Sequence, residues 1–199
     1  MISNPAGFLL NARAQWQRVS QLADNQLSAK LLYPVVLGLG TPIAWYFGTT
    51  KIGWSVGSGE IIRLTEQSAL QLVAALYLAI LASLVVIGYA IHWMAETYGS
   101  VTTISRGIVV AGYTATPLFL AGLCGFYPVF WLDMLLGIVA LCWAVYLLYI
   151  GIPVVMGIPE ERGFLYASAV VAICMVIFIC LMGVTVIMWD MGIQPVFTD

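Results

Sequence analysis

Charge is what these 199 residues have least of: seven Lys and Arg, nine Asp and Glu, and one His, with charged types at 8%. A water-soluble domain carries roughly 25% charged residues, so an aqueous globule is excluded. The net charge of −2 is too small to attract a polyanion, and a nucleic-acid partner is set aside. Cysteine is also scarce. Cys124, Cys142, Cys174 and Cys180 lie 18, 32 and 6 positions apart, which gives no CxxC or zinc pattern. They are expected to pack as buried small hydrophobes. A secretory leader is not expected: the first basic residue is Arg13, and no apolar core with a small-residue cleavage site precedes it. The chain is expected to insert through its own spans and keep its N-terminus.

Hydrophobic types make up 62% of the sequence, and its mean hydropathy is +1.02. A membrane span needs about 20 apolar residues. The charge-poor intervals supply five: residues 31–50, 67–95, 108–123, 129–150 and 163–189. The third and fourth are separated by the break Cys124-Gly125-Phe126-Tyr127-Pro128. The reading is an all-α polytopic membrane protein. A bundle of five transmembrane helices (residues 31–199) follows a cytoplasmic amphipathic N-terminal segment (residues 1–30). Residues 51–66 form a mixed loop too short for a domain of its own.

In the N-terminal segment, Asn4-Pro5 suits a helix start. Phe8, Ala12, Trp16, Val19, Ala23 and Leu27 then recur at helical spacing. This helix either lies on the cytoplasmic leaflet or caps the cytoplasmic ends of the bundle. The first span carries Pro34, Gly38, Gly40, Pro42 and Gly48, residues that break or weaken a helix. Its freed backbone groups need neighbouring helices, so it is expected to pack against the bundle. Arg13, Arg18, Lys30, Arg106 and Arg162 fall on one side of this topology, and Lys51 and Arg63 on the other. The positive-inside bias then puts the N-terminus in the cytoplasm and the C-terminus outside.

Several short patterns invite a functional reading. Gly53-Trp54-Ser55-Val56-Gly57 matches G-x-S-x-G, but the only histidine, His92, falls on the opposite side of the membrane. His92 and Glu96 share a helical face, yet no second His completes a metal site, and an interfacial cluster explains them. No cofactor is expected.

In the third span, Pro117 cannot donate to the carbonyl of Tyr113, so the helix should bend there, with Thr114 or Thr116 serving the freed group. Gly107, Ala111 and Ala115 repeat every four residues, a small-residue stripe that lets another helix approach closely. Asp133 is the only formal charge between Gly107 and Pro159 and sits about 7–8 Å in from the preceding turn. It reaches the outer interface or caps the start of the helix, or it faces the interior as a protonatable or ion-contacting group. Pro159-Glu160-Glu161-Arg162 places two acids in a first helical turn, where the helix dipole favours them; a docking patch is the other reading.

GYTATPLFLAGL, followed by YPVFWLDMLLGIVALCWAVYLLYIGIPVVMGIPEERGFLYAS, resembles the membrane half of the Yip (Ypt/Rab-interacting protein) domain family. The most specific parts are Gly112, Tyr113 and Pro117, the run from Tyr146 to Gly151, and the Pro-Glu-Glu of the loop. The resemblance implies five spans, N-in and C-out, and none of these motifs is a catalytic signature. Eukaryotic members are associated with Rab-type GTPases and membrane traffic, with a longer soluble N-terminal region and an Asp-Leu-Tyr-Gly-Pro motif. Here that motif is absent and about 30 residues precede the first span. These departures point to a bacterial plasma membrane.

Two functions follow as expectations. One is a membrane scaffold or adaptor that packs against partner membrane proteins or itself and contacts the bilayer. The other is a small oligomeric transporter or channel using Asp133 and the kinked third span. An intramembrane enzyme ranks last, because paired acids and a metal site are missing.

Overall fold

The computed structural model describes residues 5–23, 26–27, 30–55 and 59–198, without the side chains of Pro5, Ala6 and Leu9. Asn4 of the expected helix start, and Val56 and Gly57 of the G-x-S-x-G pattern, lie outside the described residues. The described chain is helical: α1 (Pro5–Leu10), α2 (Ala12–Ser20), α3 (Leu32–Phe47), α4 (Glu66–Met94), α5 (Ile104–Thr114), α6 (Thr116–Gly122), α7 (Phe130–Met156) and α8 (Glu160–Asp190). A π-helical turn (Gly48–Ile52) extends α3, and 3-10 turns follow α4 and α6. Two isolated bridges are the only β contacts among the described residues.

Local chemistry sets the helix boundaries. Asn11, Thr65 and Thr103 each accept a hydrogen bond from the backbone three residues on, capping α2, α4 and α5. Helix α7 ends at Gly157, whose φ of 64° is the left-handed conformation that glycine adopts without a Cβ clash. Pro159 follows, and Glu160 and Glu161 open α8 in the favoured first turn.

Three helices are long and apolar enough to cross a bilayer: α4 at 29 residues, α7 at 27 and α8 at 31. Helices α5 and α6, with the turn that follows, qualify together as a fourth, bent by 45°. The first expected span appears as α3, 16 residues, continued by the five-residue π turn. Its packed side is a stripe of Pro34, Gly38 and Pro42, while Leu32, Val36, Leu39, Ile43 and Phe47 point away from the bundle. The expectation that α3 packs against the bundle therefore holds for one face. The other face is apolar and open.

Helices α4 and α5 meet most closely where Gly88 faces Gly107. A Cβ on Gly107 would lie 2.2 Å from the Gly88 carbonyl oxygen, so only glycine permits this crossing. The small-residue stripe therefore works at its Gly107 end, with Gly88 as a partner that the spacing pattern did not single out.

The N-terminal helices dock on the bundle. Phe8, Ala12, Trp16, Val19 and Leu27 are buried, Ala23 is exposed, and Trp16 lies over Gly151 of α7. This apolar face is packed against the bundle rather than left open.

The cysteines depart from expectation. Cys142 and Cys180 are exposed, and Cys124 and Cys174 are only partly covered. A thiol is apolar enough to face outward from a membrane helix, so burial within the chain is not required.

The two ends of the bundle are tied by different contacts. At one end Arg13 pairs with Glu160 at 3.0 Å, Arg106 donates to the Leu22 carbonyl, and Ser100 donates to the Met156 carbonyl. At the other, Lys51 pairs with Glu66 at 2.6 Å. There the C-terminal tail also bonds to Arg63, Thr65 and Ser68.

Candidate functional site

The bend between α5 and α6 lies where Pro117 removes a backbone donor, and it becomes the first turn of α6. The helix breaks at Ala115, between the two threonines. Thr116 is fully buried, and its hydroxyl shares a 3.0 Å hydrogen bond with the Tyr33 hydroxyl of α3. The hydroxyl of Thr114 is buried without a hydrogen-bond partner. The serving group expected at the kink is thus engaged by α3 instead.

Tyr113, just before the bend, is the centre of an aromatic cluster. Its ring stacks on Phe8 at 4.8 Å and 19°, meets Trp16 edge-on at 6.3 Å, and meets Tyr33 at 4.7 Å. Phe8 and Trp16 also meet edge-to-face at 5.1 Å. Such pairs each add about 0.5–1.5 kcal/mol beyond area burial. Gly112 lies against Pro34, where a Cβ would come within 2.6 Å of the proline ring. Gly112, Tyr113, Thr116 and Pro117 therefore form one joint, holding α1, α2, α3, α5 and α6 together. Phe8 and Trp16 were visible in the sequence as an apolar stripe, whereas Tyr33 carried no signal.

Asp133 is elsewhere. It occupies the first turn of α7, its N–H bonded to the Val129 carbonyl at 2.9 Å. Its Oδ1 is buried and has no hydrogen-bond partner. It lines a half-open pocket of about 370 Å³ with Trp45, Thr49, Trp54, Pro128, Phe130 and Met134. None of Gly112, Tyr113, Thr116 or Pro117 lines that pocket. The pairing of Asp133 with the kink that a transport path would use is not formed within one chain.

Glu160 and Glu161 are at the far end of the bundle, after the full length of α7, which spans about 40 Å. Glu160 is exposed and bonded to Arg13. His92 Nδ1 contacts the Thr102 carbonyl at 2.9 Å. Among the described residues no group of three or more His, Cys, Asp or Glu is arranged to hold a metal ion.

Comparison with known proteins complements this geometry. The Yip1 domain family model matches residues 6–181. The chain is 40% identical over 170 residues to the inner membrane protein YohC of Escherichia coli K12, covering 85% of this chain and 87% of that protein. The inner membrane protein YohC of Escherichia coli O6:H1 matches to the same extent. No solved structure matches the chain.

Proposed function

The chain belongs to the Yip1 domain family of membrane proteins, and from that premise we propose that it is a non-enzymatic scaffold or adaptor of the bacterial inner membrane. It acts through helix packing and lipid contact. In this reading residues 31–199 are one membrane domain of five spans. Helix α3 with its π turn is the first, and the bent α5–α6 pair is the third. The docked N-terminal helices face the cytoplasm, and the C-terminal tail faces the periplasm. The separate tying of the two bundle ends supports that assignment, with five basic residues at one end and two at the other.

The observation that carries the reading is helix α8. Its buried residues, Gly163, Tyr166, Ala167 and Val170, all fall in the first three turns. Its most apolar stretch is as little covered by the rest of the chain as that of α4, 6% in each. Met175, Phe178, Ile179, Val186 and Ile187 all point outward, and Gly183 has no neighbouring atom within 4 Å of where a Cβ would be. One face of the helix stays half-buried along its length, through Cys174, Ile177, Leu181, Thr185 and Met188. Helix association in lipid is driven by packing, so the open face of so long a helix offers a rail to a second protein. Site-specific photocross-linking from the outer half of α8 tests this, with a discrete protein adduct as the expected product.

A second reading, a small oligomeric transporter or channel, draws on the unpartnered carboxylate oxygen of Asp133. It requires other copies to bring a path to that residue. If solute flux in proteoliposomes is the same for the wild type and Asp133→Asn, this reading fails.

A further inference from the structure

The pocket around Asp133 has a composition that selects one class of ligand. Trp45, Trp54 and Phe130 line it with aromatic rings, and Pro128 and Met134 add apolar surface. Its formal charge is the Asp133 carboxylate. The ion pairs found among the described residues, Arg13–Glu160 and Lys51–Glu66, do not involve it, and no Lys or Arg lines the pocket. Thr49 turns its hydroxyl inward to the Trp45 carbonyl at 2.7 Å, so that donor is spent.

These features exclude ligand classes in turn. An anion would meet a carboxylate and no cationic side chain. A calcium or magnesium ion needs about six or more oxygen ligands, and one carboxylate among rings does not supply them. A large, weakly hydrated organic cation fits both parts of the wall. Aromatic faces attract it through their quadrupoles, and a carboxylate neutralises its charge. A volume of about 370 Å³ is in the range of small-ligand pockets.

We propose that Asp133, with Trp45, Trp54 and Phe130, forms a binding site for an alkylammonium group. The group is either a soluble amine or the ammonium of a lipid headgroup at the same membrane surface. The site is independent of the scaffold role of α8, because it shares no residue with that helix.

The test uses the full chain in uncharged detergent, with choline and its neutral isostere 3,3-dimethylbutan-1-ol as probes in calorimetric titration. Native mass spectrometry of micelles doped with phosphatidylethanolamine or phosphatidylglycerol supplies the lipid arm. Choline is expected to bind at least about tenfold more tightly than the isostere, with a similar loss in Asp133→Asn and in Trp54→Leu. Both variants are first shown to elute as the wild type does on gel filtration. Selective retention of phosphatidylethanolamine that Asp133→Asn abolishes assigns the site to a lipid headgroup. Choline binding without that retention assigns it to a soluble amine. The proposal is overturned if neither choline nor phosphatidylethanolamine is bound. It is equally overturned if the neutral isostere binds as well as choline, or if Asp133→Asn changes nothing.

Discussion

The Phe8 ring, near the start of the chain, stacks on Tyr113 of α5 at 4.8 Å and 19°, and neither side chain is more than marginally exposed. Two segments far apart in sequence thus share one aromatic contact at the point where the third apolar stretch bends. The N-terminal helices are therefore part of the bundle's stability.

Phe8→Ala is expected to destabilise the protein by about 3 kcal/mol, the lower end of the range for emptying an aromatic core site. The midpoint of unfolding in detergent reads it. Limited proteolysis should at the same time release the first 20 or so residues, since α2 loses the ring that Trp16 packs against.

Gly107→Ala places a methyl group within 2.2 Å of the Gly88 carbonyl oxygen, a backbone atom that cannot move alone. Helices α4 and α5 must separate, at a cost of about 1–3 kcal/mol. Gly183→Ala, where nothing lies nearby within the chain, should leave monomer stability unchanged or raise it slightly, since Ala is the better helix former. Comparing the two unfolding midpoints checks both.

Thr116→Val leaves the half-buried Tyr33 hydroxyl without its partner, and Tyr33→Phe leaves the fully buried Thr116 hydroxyl without its own. Each should cost about 1–3 kcal/mol, and Tyr33→Phe the more, because the hydroxyl it strands is the deeper one. Unchanged unfolding midpoints in both variants would show that the bond contributes little to the joint.

The orientation is read by cysteine labelling in a background where Cys124, Cys142, Cys174 and Cys180 are replaced by serine. A cysteine at Arg18 or Gly157 should react with a membrane-impermeant maleimide only after the inner membrane is opened. One at Glu60 or Thr198 should react in intact spheroplasts. The reverse pattern would invert the assigned topology.

How much of this could be read in advance depended on which force set each feature. The long apolar stretches that became α4, α7 and α8 were plain, because burying backbone in lipid demands uninterrupted helix. The bend at Pro117 was equally legible, since a missing N–H is a local fact. The Yip resemblance carried by the GYTATP and YLLYIG segments was likewise confirmed by the family match.

The partners of these features were not legible. Nothing local connects Tyr33 to Thr116, Gly88 to Gly107, or Trp54 to Asp133. These are choices of tertiary packing between segments with the same apolar character. The cysteines misled for a related reason. Burial in a soluble core and exposure to lipid leave the same hydrophobic signature, and only the packed bundle separates them.

The most direct test of the scaffold account places a photoreactive phenylalanine analogue at Phe178 or Ile187, on the outer half of α8, and irradiates native membranes. Val170, buried against the bundle, is the internal control. The account predicts discrete protein adducts, to a second copy or to another membrane protein, from the outer positions and none from Val170. Lipid adducts alone at both outer positions, with the protein recovered as monomer, would contradict it.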